Sequence, residues 1–369
     1  MRTKSELPSF KSMTLLSRLL LVPRNEAAPS RLGEELHRDM SSLTKEEFDD
    51  LLHLANLNHV VMRGMEIALA IARHCGDDLR AQWAIDALAA EQHRIANALA
   101  VLHEICGAFA HAGLDCCIIK SLDHWPDLGS DLDLFTSARP EQVIQLMTRR
   151  FNAGIDSRSW GDRLACKWNF QVPGLPELVE IHVGRLGQTG EQLAIASSLL
   201  HRTRMVNISG RSFRVASKSD RILLSTLQRM YRHFYFRLCD IVDSGELVEK
   251  EGVDFIDLQA AARKAGIWEG VATYLAIVSD YTTRFRGYGL KLPEFVVTSG
   301  RFGGEAVYYR RGFLRVPILP QSARLYGAQL ADTLRKRHLE TGARLSLLPW
   351  LATAAAVGQK VTGSDKGIW

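Results

Sequence analysis

Cysteine is scarce in this chain, and the spacing of its cysteines argues against a zinc-binding or thiol redox motif. None of the six cysteines forms a Cys-x-x-Cys motif, which removes the usual signature of zinc ribbons and of thiol redox sites. Cys116 and Cys117 stand inside an apolar run and are expected to be small core residues. Because no disulfide framework is indicated, we expect a protein of a reducing compartment, the cytoplasm.

A hydrophobic run long enough to cross a bilayer is also missing. The mostly apolar stretch Leu345 to Val357 has about 13 residues, fewer than the ~18–20 of a transmembrane helix. We expect a buried terminal helix there, with a surface membrane contact as the alternative. Near the start, Leu15 to Val22 is short and interrupted by Ser17 and Arg18, so it matches a signal peptide poorly.

A strong charge of one sign is absent as well. The formal net charge of +5 permits a nucleic-acid binder without indicating one. The excess of positive charge is local, because the stretch from Arg301 to Arg344 contains nine lysines and arginines and only three acidic residues. A solvated basic face is the first interpretation of this stretch, and a groove for a polyanionic substrate is the alternative.

Length and composition indicate an ordinary folded protein of more than one unit. Its 369 residues exceed the ~250–300 at which single cores stop growing, and 46% of them are hydrophobic. No internal repeat of solenoid period occurs. The pattern predicts an α+β protein in which a small mixed-sheet core lies between helical regions. Four regions are predicted: helical 1–112, the α/β core 113–217, helical 218–290, and a basic, partly helical 291–369.

Alternating helix and strand signals define the core. A long helix is predicted from Ala81 to Ala112, where Gly113 ends it. A second helix begins after Pro140, and Ser209-Gly210-Arg211 is a credible hairpin turn. The predicted strands are Leu114–Ile119, Leu132–Phe135, Asp156–Trp160, Leu164–Val172, Leu178–Val183, Val206–Ile208 and Phe213–Val215.

The most informative segment contains two aspartates at a spacing of two. On a strand, Asp131 and Asp133 direct both carboxylates to the same face, and the apolar Leu132 and Leu134 fix the opposite face in the core. Two carboxylates on one face repel each other unless a cation neutralises them. Hard oxygen ligands suit Mg²⁺, with Mn²⁺ as the alternative. We therefore predict a metal site at Asp131 and Asp133, with a solvated turn as the alternative.

A third carboxylate follows on a later strand. In Leu178–Val183, Glu180 and His182 share one face. Three acidic groups from two neighbouring strands are the arrangement that holds two Mg²⁺ ions in an in-line phosphoryl displacement. Glu180 is thus a predicted metal ligand, while His182 contacts the nucleotide or is a hydrogen-bonded core histidine.

These residues together resemble the polymerase-β-type nucleotidyltransferase superfamily. Its pattern is an apolar strand, a Gly-Gly or Gly-Ser turn, D-h-[DE]-h and a later carboxylate, matched here by Lys120-Ser121, Asp131–Phe135 and Val179–His182. The closest resemblance is to the uncharacterised bacterial nucleotidyltransferase family, which has Lys-Gly at the turn. The resemblance covers roughly residues 90–270 and implies NTP binding, with Lys120 and Ser121 contacting phosphate. The chain departs from the pattern by lacking glycine at the turn.

The resemblance extends weakly to a downstream helix. The family has a His-containing stretch that ends in Asp, and here Arg232-His233-Phe234 through Asp240 resembles it. His233, Arg237 and Asp240 are predicted to share one helical face, in a structural salt bridge or a contact between helices, with a part in holding the nucleotide as the alternative. Asp123, His124 and Asp127 are assigned to a surface loop or the start of a helix, without a catalytic part.

The resemblance implies a Mg²⁺-dependent transfer of an NMP from an NTP to an acceptor hydroxyl. In this mechanism Asp131, Asp133 and Glu180 are catalytic metal ligands, and the acceptor is a small molecule, a sugar, a protein or RNA. One alternative is a catalytically inactive protein of the same fold that binds or regulates a partner. The other is a glycosyltransferase in which Asp131-Leu132-Asp133 binds Mn²⁺ and a sugar nucleotide.

Overall fold

The computed structural model describes residues 10–21 and 31–362. Within these two ranges, no helix combines the length and the apolar character that crossing a membrane requires. Helices surround one seven-stranded mixed sheet, and a separate three-stranded sheet lies nearer the C-terminus. The predicted α+β class is confirmed at this level of description.

Within the described residues, five helices precede the sheet. Thr44 begins the third with a reciprocal capping box to Glu47, and Asp77 caps the fifth through the Arg80 amide. Gly113, at a φ of 68°, follows the long fifth helix, so its predicted end is confirmed. Their bounds are α1 Phe10–Leu21, α2 Arg31–Ser41, α3 Lys45–Leu57, α4 Val61–His74 and α5 Asp78–His111.

The seven-stranded sheet has the order β3-β4-β5-β2-β1-β7-β6. Strand β2 is parallel to β5 and antiparallel to β1, and β1 is parallel to β7. The sheet is therefore mixed, and its central strands are joined by long crossovers. The strands are β1 Cys116–Ile118, β2 Asp131–Thr136, β3 Gly154–Ile155, β4 Lys167–Gln171, β5 Leu178–Val183, β6 Thr203–Ile208 and β7 Arg211–Ala216.

Most of the predicted strands of the core are confirmed, and one is wrong. Strand β5 has the predicted bounds, and the hairpin of β6 and β7 turns at Ser209-Gly210. The segment Asp156–Trp160 is not a strand, because Ser159 caps a short helix, α7 Trp160–Leu164, through the Asp162 amide. Two other helices flank the sheet: α6 Pro140–Phe151 and α8 Leu193–Leu199.

The helical region after the sheet is broken where one helical face was predicted. Helix α9 Lys218–Thr226 continues as a π-helical turn, Leu227–Arg232, and then ends. A two-residue strand follows, and Arg237 is the N-cap of the next helix. His233, Arg237 and Asp240 therefore do not lie on one helix. The prediction of a shared helical face was wrong because Phe234, at a φ of 55°, turns the chain out of the helix.

The remaining elements form the small sheet and the C-terminal helices. The small sheet has the order β8-β10-β9, so the basic C-terminal stretch returns to pair with the break after α9. The elements are β8 Tyr235–Phe236, α10 Leu238–Glu246, α11 Phe255–Lys264, α12 Trp268–Arg286, α13 Glu294–Val297, β9 Tyr308–Arg310, β10 Phe313–Arg315, α14 Ala323–Arg335 and α15 Leu339–Thr362. In α15, Leu345 and Leu348 are buried, whereas Trp350 is exposed.

Candidate functional site

The predicted carboxylates come together through the parallel pairing of β2 with β5. Asp133 is in register with Glu180, and Asp131 with Leu178. Because side chains alternate along a strand, Asp131, Asp133 and Glu180 project from the same face of the sheet. The other face is packed in the core, where Leu132, Leu134 and Ile181 are fully buried. Two adjacent strands thus supply the three carboxylates, as predicted from the sequence.

These carboxylates line a cavity of about 170 Å³ between the sheet and the break after α9. Its lining is strongly polar, with acidic groups on one wall and basic groups on the other. The acidic wall is formed by Asp131, Asp133 and Glu180, beside Lys120 and Ser121. The opposite wall is formed by Gln228, Arg229, Arg232, His233, Tyr235 and Arg237, and His59, His124, Gly129 and Ser130 complete the lining.

Ser121 holds the aspartate strand. Its buried hydroxyl accepts a hydrogen bond from the Asp133 amide (2.6 Å) and donates one to the Asp131 carbonyl (3.2 Å). The structure places Ser121 in the cavity lining, but its hydroxyl is bonded to the backbone of β2. Its predicted contact with phosphate stays a prediction, and a positioning role is what its hydrogen bonds show.

Lys120 occupies the position at which the superfamily pattern has its first glycine. Its φ of 63° and ψ of −57° form a γ-turn that the Ser121 amide closes onto the Ile119 carbonyl at 2.6 Å. A side chain in this conformation is unusual, and such strain concentrates at functional sites. The turn directs the Lys120 ammonium onto Asp133, 3.5 Å from Glu180.

His182 and Lys120 share the same carboxylates. The Nε2 atom of His182 lies 2.9 Å from Glu180 and 3.5 Å from Asp133. The structure places His182 beside the carboxylates, where it is buried and hydrogen-bonded to Glu180. Its predicted contact with a nucleotide stays a prediction. Among the residues described, ligand atoms of Asp133, Glu180 and His182 lie within 4.8 Å of one another.

Lys167 is a further member of the site that sequence reasoning did not identify. On β4 it is in register with His182, and its ammonium lies 2.8 Å from Glu180 and 2.7 Å from Asp162. The signal was available in the alternation of β4, where Lys167 and Asn169 are polar between apolar neighbours. Asn169 is opposite Glu180, and its buried Oδ1 has no hydrogen-bond partner among the described residues.

Asp131 differs from the other two carboxylates in having no cationic partner among the described residues. Within the described residues, the carboxylate of Asp131 has one weak hydrogen bond, from the Ser130 hydroxyl at 3.4 Å. Burial raises the pKa of Asp131 to about 6, and the charges of Asp133 and Glu180 add to this shift. The pKa of Glu180 is shifted in the opposite direction. Burial opposes its ionisation, but Lys120, the hydrogen bond from His182, and Lys167 hold the pKa of Glu180 well below its usual value.

The donor set fits a hard divalent cation. The charges of Asp133 and Glu180 act on Asp131, which has no cationic partner among the described residues, and the ligand atoms of Asp133, Glu180 and His182 lie within 4.8 Å of one another. Repulsion between carboxylates is the condition that a divalent ion relieves. The nearby imidazole of His182 is compatible with Mn²⁺ as well as with an oxygen-preferring Mg²⁺. The residues that would hold the ion are Asp131, Asp133 and Glu180, with His182 beside them.

The basic wall was not predicted as part of the site. Arg229, in the π-helical turn, is buried and pairs with Asp240 at 2.7 Å. The salt bridge predicted for this region therefore exists, but Arg229 rather than Arg237 is the partner of Asp240. Burial, with the charges of Arg232 and Arg229, holds the pKa of His233 well below its usual value. A neutral histidine thus stands among several arginines at the cavity wall.

The segment after Ser121 belongs to a second cluster, buried at Arg63, Asp127 and Asp243 and half-buried at Asp123 and His124. Arg63 bonds to Asp127 at 2.7 Å and to Asp243 at 2.6 Å. The Nδ1 of His124 donates a hydrogen bond to Asp243 at 2.5 Å, and its ring stacks on that of His59. Residues Ser121–His124 form a 3₁₀ turn, so the predicted helix start holds for Asp123 and His124. The surface assignment was wrong for Asp127, because the composition of this segment gave no sign of the buried Arg63 that pairs with it. Asp123 pairs with Arg221 at 2.8 Å.

Comparison with known proteins adds no assignment. No protein-family model matches the chain, and no curated protein matches it. The function is therefore argued from the geometry of the cavity.

Proposed function

We propose that the chain is a divalent-metal-dependent nucleotidyltransferase that moves an NMP from an NTP to an acceptor hydroxyl. The observation that carries this proposal is the convergence of Asp131, Asp133 and Glu180 from β2 and β5 on the floor of one cavity. The resemblance of the same residues to the polymerase-β-type superfamily supports it. The basic wall opposite supplies the charge that an NTP requires.

The residues of the chain divide the work between binding and orientation. Ser121 fixes the backbone of β2, so that Asp131 and Asp133 keep one direction. Lys167 and His182 orient the carboxylate of Glu180 from two sides. Arg232 and Arg237 face the carboxylates across the cavity, where phosphate oxygens would accept their N–H groups. The acceptor hydroxyl attacks the α-phosphorus in line, and pyrophosphate leaves toward the basic wall.

Asp131, Asp133 and Glu180 would hold the divalent ion, which when bound supplies charge neutralisation at the transferring phosphoryl group. Lys120 contacts two of these three carboxylates. Because its four-carbon stem is flexible, it is able to transfer its ammonium from the carboxylates to a phosphate.

The test is a binding measurement on a double variant. Calorimetry with the four NTPs and several NDP-sugars, with and without Mg²⁺ or Mn²⁺, is compared between the wild type and Asp131→Asn with Asp133→Asn. We expect metal-dependent NTP binding that the double variant weakens by at least ~100-fold, about 2.7 kcal/mol. Asp49→Asn with Asp86→Asn, two exposed helical aspartates, is the matched control and should bind as the wild type does.

NMP transfer retained by the Asp131 and Asp133 double variant would show the mechanism to be wrong. Binding of an NDP-sugar in preference to every NTP would favour the metal-dependent glycosyltransferase.

A second candidate function is a catalytically inactive protein of the same fold that binds a partner. The contact that favours it is the Lys120 ammonium on Asp133 and Glu180, which places a protein cation among the ligands. The absence of metal-dependent NTP binding in the same calorimetric series would support this candidate, provided that the protein is folded.

A further inference from the structure

The small sheet presents a face of alternating basic and aromatic side chains. In β9 and β10, Arg310 is in register with Phe313 and Tyr308 with Arg315. Arg315 is also in register with Tyr235 of β8. Because paired residues project from the same side of a sheet, these five side chains share one face. The other face carries Phe236 and Leu314 and is buried in the core.

The aromatic rings of this face are arranged as platforms. Tyr235 and Phe313 lie with ring centroids 4.4 Å apart, and the guanidinium of Arg315 lies 4.9 Å from the Tyr235 centroid. Tyr308 is 48% exposed, which is a large apolar area for a surface strand. Planar groups that are half exposed beside guanidinium ions are the means by which proteins stack unpaired bases.

The positive charges of the face have no carboxylate partners in the part of the chain that the structure describes. Ion pairs are found for Arg229 and Arg301 nearby, but not for Arg310, Arg311 or Arg315. Burial, together with the charges of Arg310 and Arg311, lowers the pKa of Arg315. Two like charges on the face, Arg310 and Arg315, with Arg311 in the adjoining turn, have no carboxylate partner among the described residues and indicate a polyanionic ligand.

The face is continuous with the cavity. Tyr235 lines the cavity and also belongs to the small sheet, and Arg237 lies in the same lining. The rings of His233 and Tyr235 are 5.6 Å apart, so the platform extends from the basic wall to the hairpin of β9 and β10. A chain lying on this face would therefore reach the carboxylates with its end.

We propose that this face, formed by Tyr235, Tyr308, Arg310, Phe313 and Arg315, binds a single-stranded nucleic acid whose terminal hydroxyl enters the cavity. The arginines contact the phosphates and the aromatic rings stack on the bases. The binding itself stands on the face alone, whereas the use of the strand as the acceptor rests on the proposed nucleotidyl transfer. The basic C-terminal stretch would then be a substrate groove and not only a solvated surface.

The test is fluorescence anisotropy with labelled oligo(U) and oligo(dT) of equal length, titrated over a range of salt. Arg310→Ala with Arg315→Ala should weaken binding at least tenfold and lower the slope of log Kobs against log salt by about 1.4. Tyr308→Ala should weaken binding on the order of tenfold through the loss of stacking. A difference between the two oligonucleotides identifies RNA or DNA as the strand preferred.

The control is Arg324→Ala with Arg335→Ala, which removes two exposed arginines of helix α14 and should leave binding unchanged. Absence of binding at low salt, or equal losses in the two double variants, would overturn the proposal. So would arginine-dependent binding that heparin matches and that Tyr308→Ala leaves intact, because such a site takes any polyanion.

The Asp131→Asn with Asp133→Asn variant separates this inference from the function on which its second half rests. It should lose metal-dependent NTP binding, whereas its oligonucleotide binding should still depend on Arg310, Arg315 and Tyr308, because those side chains are unchanged. In the wild type, oligonucleotide binding without NTP binding would leave the face established and the nucleotidyl transfer refuted.

Discussion

Two carboxylate clusters lie on either side of the same chain segment, and they differ in how completely they are neutralised. In the buried cluster, Arg63 lies between Asp127 and Asp243, and the Met62 amide adds a hydrogen bond of 2.6 Å to Asp127. In the cavity, the hydrogen-bond contact of Asp131 among the described residues is the Ser130 hydroxyl at 3.4 Å. Both clusters contain cations, but in the cavity Lys120 and Lys167 pair with Asp133 and Glu180 and leave Asp131 without a cationic partner among the described residues.

This difference in neutralisation distinguishes carboxylates that stabilise the fold from carboxylates that are available to a ligand. A cation held between two buried acids by several short hydrogen bonds leaves no ligand position available, so the cluster serves the fold. This applies also to His124, Cys239 and Asp243, whose ligand atoms lie within 4.8 Å of one another, since Arg63 is bonded to that same Asp243. In the cavity, Lys120 and Lys167 pair with Asp133 and Glu180, and Asp131, which has no cationic partner among the described residues, is left for a ligand.

Substitution of Arg63 by methionine should have the largest effect on stability. The change leaves Asp127 and Asp243 buried without their main cation, and breaking a buried pair in this way costs about 3–5 kcal/mol. Denaturant unfolding followed by circular dichroism measures the loss. A free energy of unfolding within about 1 kcal/mol of the wild type would contradict the distinction between the clusters.

The matched change in the cavity, Lys120→Met, should alter binding more than stability. Because the ammonium competes for Asp133 and Glu180, Mn²⁺ alone should bind roughly tenfold more tightly, about 1.4 kcal/mol, in the variant. NTP affinity should fall, because Lys120 is the predicted phosphate contact. The free energy of unfolding should fall by less than in Arg63→Met, because Glu180 keeps Lys167 and His182 as partners. Weaker Mn²⁺ binding would show that Lys120 does not compete for these carboxylates.

The smallest expected effect is the pH dependence contributed by His124. Burial opposes its protonation, but Cys239 and Asp243 raise the pKa of His124 well above its usual value. The groups facing it are Cys239 and Asp243 from α10, His59, Asp123 and, through Asp243, Arg63.

With the folded pKa above the unfolded value of ~6.5, the stability from His124 is complete below that pH. It is lost as pH rises through the folded pKa. The wild type should therefore lose about 1 kcal/mol more than His124→Asn over this interval, as measured by unfolding at several pH values. His53→Asn, at an exposed position, is the control. Parallel pH profiles for wild type and His124→Asn would argue that this histidine is not protonated on folding.

Much of the core could be predicted from the sequence, because local periodicity specifies it. Strand β5 and helix α6 follow from alternation and from Pro140, and the apolar partners of Asp131 and Asp133 set their direction. The pairing of β2 with β5 agrees with the expectation that the two strands carrying the carboxylates are neighbours. The nucleotidyltransferase assignment and the domain boundaries remain predictions.

What could not be predicted depends on contacts between distant parts of the chain. Arg63 meets Asp243 across 180 positions, and nothing in the local sequence of either residue indicates the other. The break at His233 to Arg237 was not predicted either. The spacing of His233, Arg237 and Asp240 fits a helix, and spacing alone does not show whether the helix continues between them. Only the pairing of β8 with β10 shows why the chain leaves the helix there.

The pairing of Asp133 with Glu180 also has a kinetic consequence. The aspartates of β2 are neighbours in sequence, but Glu180 joins them only after a crossover that includes α6 and the hairpin of β3 and β4. Such non-local parallel contacts form late, after the entropy of closing a long loop has been offset. The unfolded chain therefore has no three-carboxylate site, and a ligand ion would bind and stabilise only chains that have completed this step.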